Sequence, residues 1–147
     1  MRRSIAAFAF LVAAIPVAVA DDKDDAAKKL NGAYEVREVL VGGKPDDSKK
    51  DTRFTIKDGT IEIKEGDKKA ETAKFTLDPS KKPAHIDIMP DRGAKEPVPG
   101  IYEVKETDKG LELTVAFVKG GGGDRPKDFK AGGMDEVVIK LFRKKEK

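Results

Sequence analysis

The feature that most constrains this chain is a two-residue alternation of apolar and polar side chains that recurs along most of its length. Phe54 and Ile56 alternate with polar neighbours, as do Ile61 and Ile63, then Ala73, Phe75 and Leu77. Ile86 and Ile88 follow, then Val98, Tyr102 and Val104, then Leu111, Leu113, Val115 and Phe117, and last Val137, Ile139 and Leu141. Successive side chains of a strand point to opposite faces, so this pattern buries one face and wets the other. Tyr34, Val36, Val39 and Val41 make a further strand, whose phase breaks at Arg37-Glu38. A break of one residue inside a strand predicts a β-bulge there.

Turn chemistry separates the runs. Asp58-Gly59, between Phe54-Thr55-Ile56-Lys57 and Thr60-Ile61-Glu62-Ile63, specifies a two-residue hairpin. Gly66-Asp67, Asp78-Pro79-Ser80, Pro90 and Asp108-Lys109-Gly110 mark the other reversals. Eight strands result, at 33–41, 52–57, 60–65, 70–78, 84–89, 98–105, 111–118 and 136–143. No helical periodicity lies between them. Eight sequential antiparallel strands with one apolar face predict an all-β, up-and-down barrel, which leaves no free edge. A β-sandwich is the alternative.

Hairpin loops of a meander fall alternately at the two ends. Loops 42–51, 66–69, 90–97 and 119–135 gather at one end, against 58–59, 79–83 and 106–110 at the other. One end is therefore tightly closed, and the long loops make the other a mouth. Long loops on a rigid scaffold are where binding residues and lids concentrate.

The N-terminus reads as an export signal. Met1-Arg2-Arg3 is basic, Ile5 to Ala14 is apolar, and Ala18-Val19-Ala20 is a small-x-small cleavage site before Asp21-Asp22. The expected organisation is a signal peptide at 1–20, a charged flexible tether at 21–29 and a single barrel domain at 30–147. Cleavage removes Arg2 and Arg3, so the net charge of +3 falls to +1. A near-neutral chain of this kind excludes a strongly basic nucleic-acid binder, and no segment reads as a membrane span. The chain has no Cys, so an exported product carries neither disulfides nor a lipidated cysteine. The expected location is the periplasm or the extracellular space, as a monomer.

Several segments, in order, carry a resemblance. Leu30-Asn31-Gly32-Ala33-Tyr34-Glu35-Val36 is followed by Gly43-Lys44-Pro45, then by Phe75-Thr76-Leu77-Asp78-Pro79-Ser80-Lys81-Lys82-Pro83-Ala84-His85-Ile86-Asp87. Gly100-Ile101-Tyr102-Glu103, Leu111-Glu112-Leu113 and Asp124-Arg125-Pro126-Lys127-Asp128-Phe129 complete the series. This order is similar to an uncharacterised lipocalin-like domain family abundant in planctomycete bacteria, over residues 29 to 145. The resemblance implies an eight-stranded barrel and carries no assigned ligand or activity. Such sequences read Gly-Thr-Trp where this chain has Gly32-Ala33-Tyr34. In lipocalins that Trp packs under a basic residue of the last strand. Tyr34 and Arg143 occupy those places here, and a cation–π contact between them is expected to plug the barrel floor.

Candidate chemistry is sparse. His85 is the only His and takes the outward phase next to Ile86, which leaves no histidine-built metal site or catalytic triad. Ser48 and Ser80 sit in turn-forming stretches. Asp21, Asp22, Asp24 and Asp25 lack the spacing of a calcium loop and read as a solvated tether. Gly120 to Gly123 precede no helix and read as a flexible loop rather than a phosphate cradle. No cofactor or metal is expected.

The inward set Phe54, Phe75, Ile86, Tyr102, Leu113, Val115 and Phe117 is apolar, as a ligand cavity or a packed interior would be. Arg125 and Phe129 lie on the longest loop, where they contact a ligand or fold back to cover the barrel. The expectation is an exported, non-enzymatic binding protein for a small apolar or amphipathic molecule. The alternative is a protein-interaction or inhibitor module that uses the long loops on an exported partner.

Overall fold

The computed structural model describes residues 19–147. Nine strands run in chain order: β1 (Gly32–Val41), β2 (Lys44–Pro45), β3 (Thr52–Lys57), β4 (Thr60–Glu65), β5 (Glu71–Asp78), β6 (Ala84–Pro90), β7 (Val98–Thr107), β8 (Gly110–Val118) and β9 (Glu136–Lys144). Each long strand pairs antiparallel with the next, and β1 also pairs with β9. The result is a closed, eight-stranded, lipocalin-like barrel, with β2 an extra two-residue strand on β1. Closure leaves the long strands without a free edge.

The register explains how one strand closes the barrel. The first residues of β1 pair with β3, from Gly32 opposite Ile56 to Glu35 opposite Arg53. Its later residues pair with β9, from Glu35 opposite Phe142 to Val41 opposite Val137. The ladder shifts between Val36 and Glu38, where the phase break predicts a bulge. An extra residue bends and twists a strand, which is what a shared closing strand requires.

The alternation is read out as burial. Along β3 the residues alternate strictly, with Thr52, Phe54 and Ile56 buried and Arg53, Thr55 and Lys57 exposed. The outward positions Lys57, Glu62, Lys64 and Lys74 are exposed charges. A barrel crossing lipid needs the opposite, an apolar outer band. Among the described residues no helix is long and apolar enough to cross a membrane.

Two elements differ from the sequence reading. Residues expected as a flexible tether form a helix, α1 (Val19–Lys29), which crosses the expected cleavage point. Ala26 and Ala27 pack against the core and Leu30 is buried beyond them. Small apolar side chains one turn from a charged face were enough to dock it. Residues 1–18, which hold the rest of the signal-peptide reading, lie outside the described residues.

The second difference is the course of 119–135. Its residues Arg125, Phe129 and Ala131 lie against the outer wall rather than over the mouth. Ile101, Ala116 and Val138 are outward-facing yet buried, and they cluster with Ala131, Leu40 and Phe129. Ile101 sits opposite Ala116, Ala116 opposite Val138, and Val138 opposite Leu40, so they form one line across four strands. The segment buries that line.

Candidate functional site

The two ends of the barrel differ in construction. At the tight end Leu30 is 1% exposed and Tyr34 2%. The Tyr34 hydroxyl donates to the Leu30 carbonyl at 2.8 Å. The Arg143 guanidinium carbon lies 5.6 Å from the centre of the Tyr34 ring. Arg143 also donates to the Lys29 carbonyl at 3.0 Å and to the Asn31 carbonyl. It crosses so close to Gly32 that a Cβ there would overlap its Cδ, and Gly32 has φ of 144°. Only glycine accepts both conditions. Burial raises the Tyr34 pKa above its ordinary value, with Arg143 opposing.

Inside the barrel is a chamber of about 230 Å³. Of the residues expected to line it, Phe54, Phe75, Ile86, Leu113, Val115 and Phe117 do so. Tyr102 does not. It is buried in the same core but borders a surface groove of about 610 Å³, shared with Phe129, Lys81 and Lys82. Burial and the Asp78 charge both raise the Tyr102 pKa. The chamber lining is apolar except for Glu71 and Thr72. Thr72 donates to the Asp91 carboxylate, so its hydroxyl is engaged.

A second chamber, also of about 230 Å³, adjoins the first at the long-loop end. Phe54, Ile63, Phe117 and Ile139 border both chambers and form the neck between them. The outer chamber has mixed walls: Val36, Val39, Val41 and Val137 line it together with Asp46, Lys49, Thr52, Glu65, Glu71 and Lys119. Lys49 pairs with Glu65 at 2.9 Å, and Lys68 reaches Glu65 at 3.2 Å. These contacts, that of Lys49 first, hold the Glu65 carboxyl below its ordinary pKa. Asp46 accepts from the Ser48 hydroxyl at 2.6 Å, which lowers its pKa, and Lys119 adds a smaller attraction. Glu71 makes no ion pair among the described residues. The Thr52 hydroxyl is buried without a hydrogen-bond partner among the described residues.

None of these rim residues is in the set expected from the sequence. The signal was nevertheless present. Thr52 shares the phase of Phe54 and Ile56, and Glu71 that of Ala73, Phe75 and Leu77, so both face inward at the mouth end of their strands.

Arg125 is fastened to the outer wall rather than to the mouth. It donates to the Gly100 carbonyl at 2.6 Å, the Ile86 carbonyl at 3.2 Å and the Asp87 carboxylate at 2.7 Å. Phe129 packs on the outer apolar line. His85 takes the outward phase and is half-buried. Ser48 and Ser80 each donate to the aspartate two residues earlier, which is turn chemistry. Among the described residues no group of three or more His, Asp or Glu is placed to hold a metal ion.

Fold and cavity together define a lipocalin-like barrel with an apolar interior reached from one end. No family model, curated protein or solved structure matches the chain.

Proposed function

We propose that this protein is an exported, non-enzymatic carrier that holds a small apolar or amphipathic molecule inside its barrel. The observation that carries this reading is the inner chamber, about 230 Å³, lined by Phe54, Phe75, Ile86 and Phe117. An engineered apolar cavity of about 150 Å³ is enough to take up benzene. Such a chamber stays dry until an apolar guest fills it. The gain is the burial of the guest's surface, about 25 cal/mol for each Å² removed from water. The non-enzymatic reading is supported by the lining itself, in which no His or Ser of the described residues takes part. Export rests on the basic, apolar and small-residue pattern of residues 1–20.

The alternative, an interaction module built on long loops, has less in its favour. Its longest loop spends Arg125, Phe129 and Ala131 on the barrel wall.

The test is native mass spectrometry of the protein taken from its own cells, paired with benzene titration. A stoichiometric extra mass that leaves on denaturation identifies the guest class. A bare chain that also excludes benzene overturns the carrier reading.

A further inference from the structure

The outer chamber holds a specific imbalance. Thr52 is 5% exposed, inward-facing, and its hydroxyl has no partner among the described residues. A buried hydroxyl without a partner costs about 1–3 kcal/mol, and native proteins seldom keep one without a use. Glu71 faces the same chamber and borders the inner one as well. Lys49 is paired with Glu65 and feels Asp46 and Glu71 only as weaker, through-space attractions, and Lys119 lies near Asp46. Glu71 is thus the one carboxylate of the chamber with neither an ion pair nor a hydroxyl donor among the described residues. An apolar pocket below, with a buried hydroxyl and an exposed carboxylate two strands apart on one chamber above, is the layout for a guest with an apolar body and a cationic donor at one end.

We infer that the guest is a short amphipathic amine, its apolar body in the inner chamber and its ammonium between Thr52 and Glu71. This rests on the carrier reading and adds the chemistry of the head group. An ammonium offers three donors and no acceptor. It satisfies the Thr52 hydroxyl oxygen and pairs with Glu71 together. A carboxylate head of the same length meets Glu71 as a like charge. An alcohol satisfies Thr52 and gains less from Glu71. Glu71 lies near solvent, so the selection is modest, roughly tenfold between amine and carboxylate, the factor of one charge-assisted hydrogen bond.

The experiment is calorimetric titration of the purified protein with hexylamine, 1-hexanol, hexanoate and benzene near neutral pH. The expected order is hexylamine, then hexanol, then hexanoate. Glu71→Gln should remove the amine preference. Thr52→Val, close to isosteric, should weaken hexylamine and hexanol alike and spare benzene. Hexanoate binding as tightly as hexylamine, or an amine preference that survives Glu71→Gln, overturns the inference. Benzene binding in that same experiment would keep the carrier reading intact. Failure of every probe, benzene included, sinks both.

Discussion

Arg143 and Tyr34, more than a hundred residues apart in the chain, close the tight end of the barrel together. The guanidinium carbon sits 5.6 Å from the ring centre. The arginine also ties down the carbonyls of Lys29 and Asn31, where helix α1 passes into β1. One side chain therefore joins the last strand, the first strand and the helix between them and solvent.

Removing that tie should be measurable in folding. A cation–π contact contributes about 0.5–2 kcal/mol and a hydrogen bond about 1 kcal/mol. Arg143→Ala is expected to lower stability by about 1–3 kcal/mol, read as a lower urea midpoint at unchanged slope. Tyr34→Phe loses only the bond to the Leu30 carbonyl and should cost about 1 kcal/mol. Gly32→Ala, which displaces the arginine, should cost at least as much as Arg143→Ala. A neutral Arg143→Ala would mean the floor is held by Leu30 packing alone.

Much of this architecture was legible because strand period and turn chemistry agree. Phe54 and Ile56, Asp58-Gly59, then Ile61 and Ile63 encode a hairpin whose register the structure keeps, with Phe54 opposite Ile63 and Ile56 opposite Ile61. The bulge at Arg37 was legible from a single slip of phase. What was not legible depended on second-layer packing. The triplets Gly100-Ile101-Tyr102, Val115-Ala116-Phe117 and Val137-Val138-Ile139 each carry an apolar or small residue on the wet face. Only the register lines Ile101, Ala116 and Val138 into one stripe, and only then does it call for the cover that Phe129 and Ala131 supply. The rim escaped for a related reason. Thr52 and Glu71 are polar residues in an apolar phase, and their meaning appears only when strands two places apart in the chain face one chamber.

The outer strap gives a prediction about local opening. Arg125 makes three polar contacts with β6 and β7, one of them an ion pair with Asp87 at 2.7 Å. Arg125→Ala should release residues 119–135 from the wall. The expected result is faster amide exchange and protease cutting within that segment, with the barrel strands still protected. Equal exchange in the variant and the parent would show that Phe129 and Ala131 suffice.

Filling the inner chamber separates binding from folding. Ala73 is 5% exposed and lines that chamber. Ala73→Leu adds three carbons where there is room for them. Stability should be unchanged or higher, while benzene uptake falls by more than about tenfold, the effect of losing 1.4 kcal/mol of binding. A drop of about 1–3 kcal/mol in stability would mean that the side chain meets a wall rather than the cavity.

The pH dependence should have two limbs of opposite sign. Asp46, Glu65 and Asp78 have pKa values below the ordinary range, through the Ser48 hydroxyl, the Lys49 ammonium and the Ser80 hydroxyl in turn. A depressed carboxyl stabilises the fold above its unfolded pKa, and that contribution is lost as pH falls. Loss should begin below about pH 4.5 and continue to lower pH. Tyr34 and Tyr102 have pKa values raised by burial. A raised group favours the fold below its unfolded pKa, and the benefit is lost as pH rises through the folded value. Stability should therefore decline above about pH 10, the ordinary tyrosine value. Lys49, raised by Glu65, adds to the same limb at slightly higher pH. Urea midpoints measured from pH 3 to 11 should show both limbs. Phenylalanine at 34 and 102 should flatten the alkaline limb alone and leave the acid limb unchanged. An alkaline limb that keeps its full slope in that double variant would assign it to Lys49 and would count against a buried phenol at the floor.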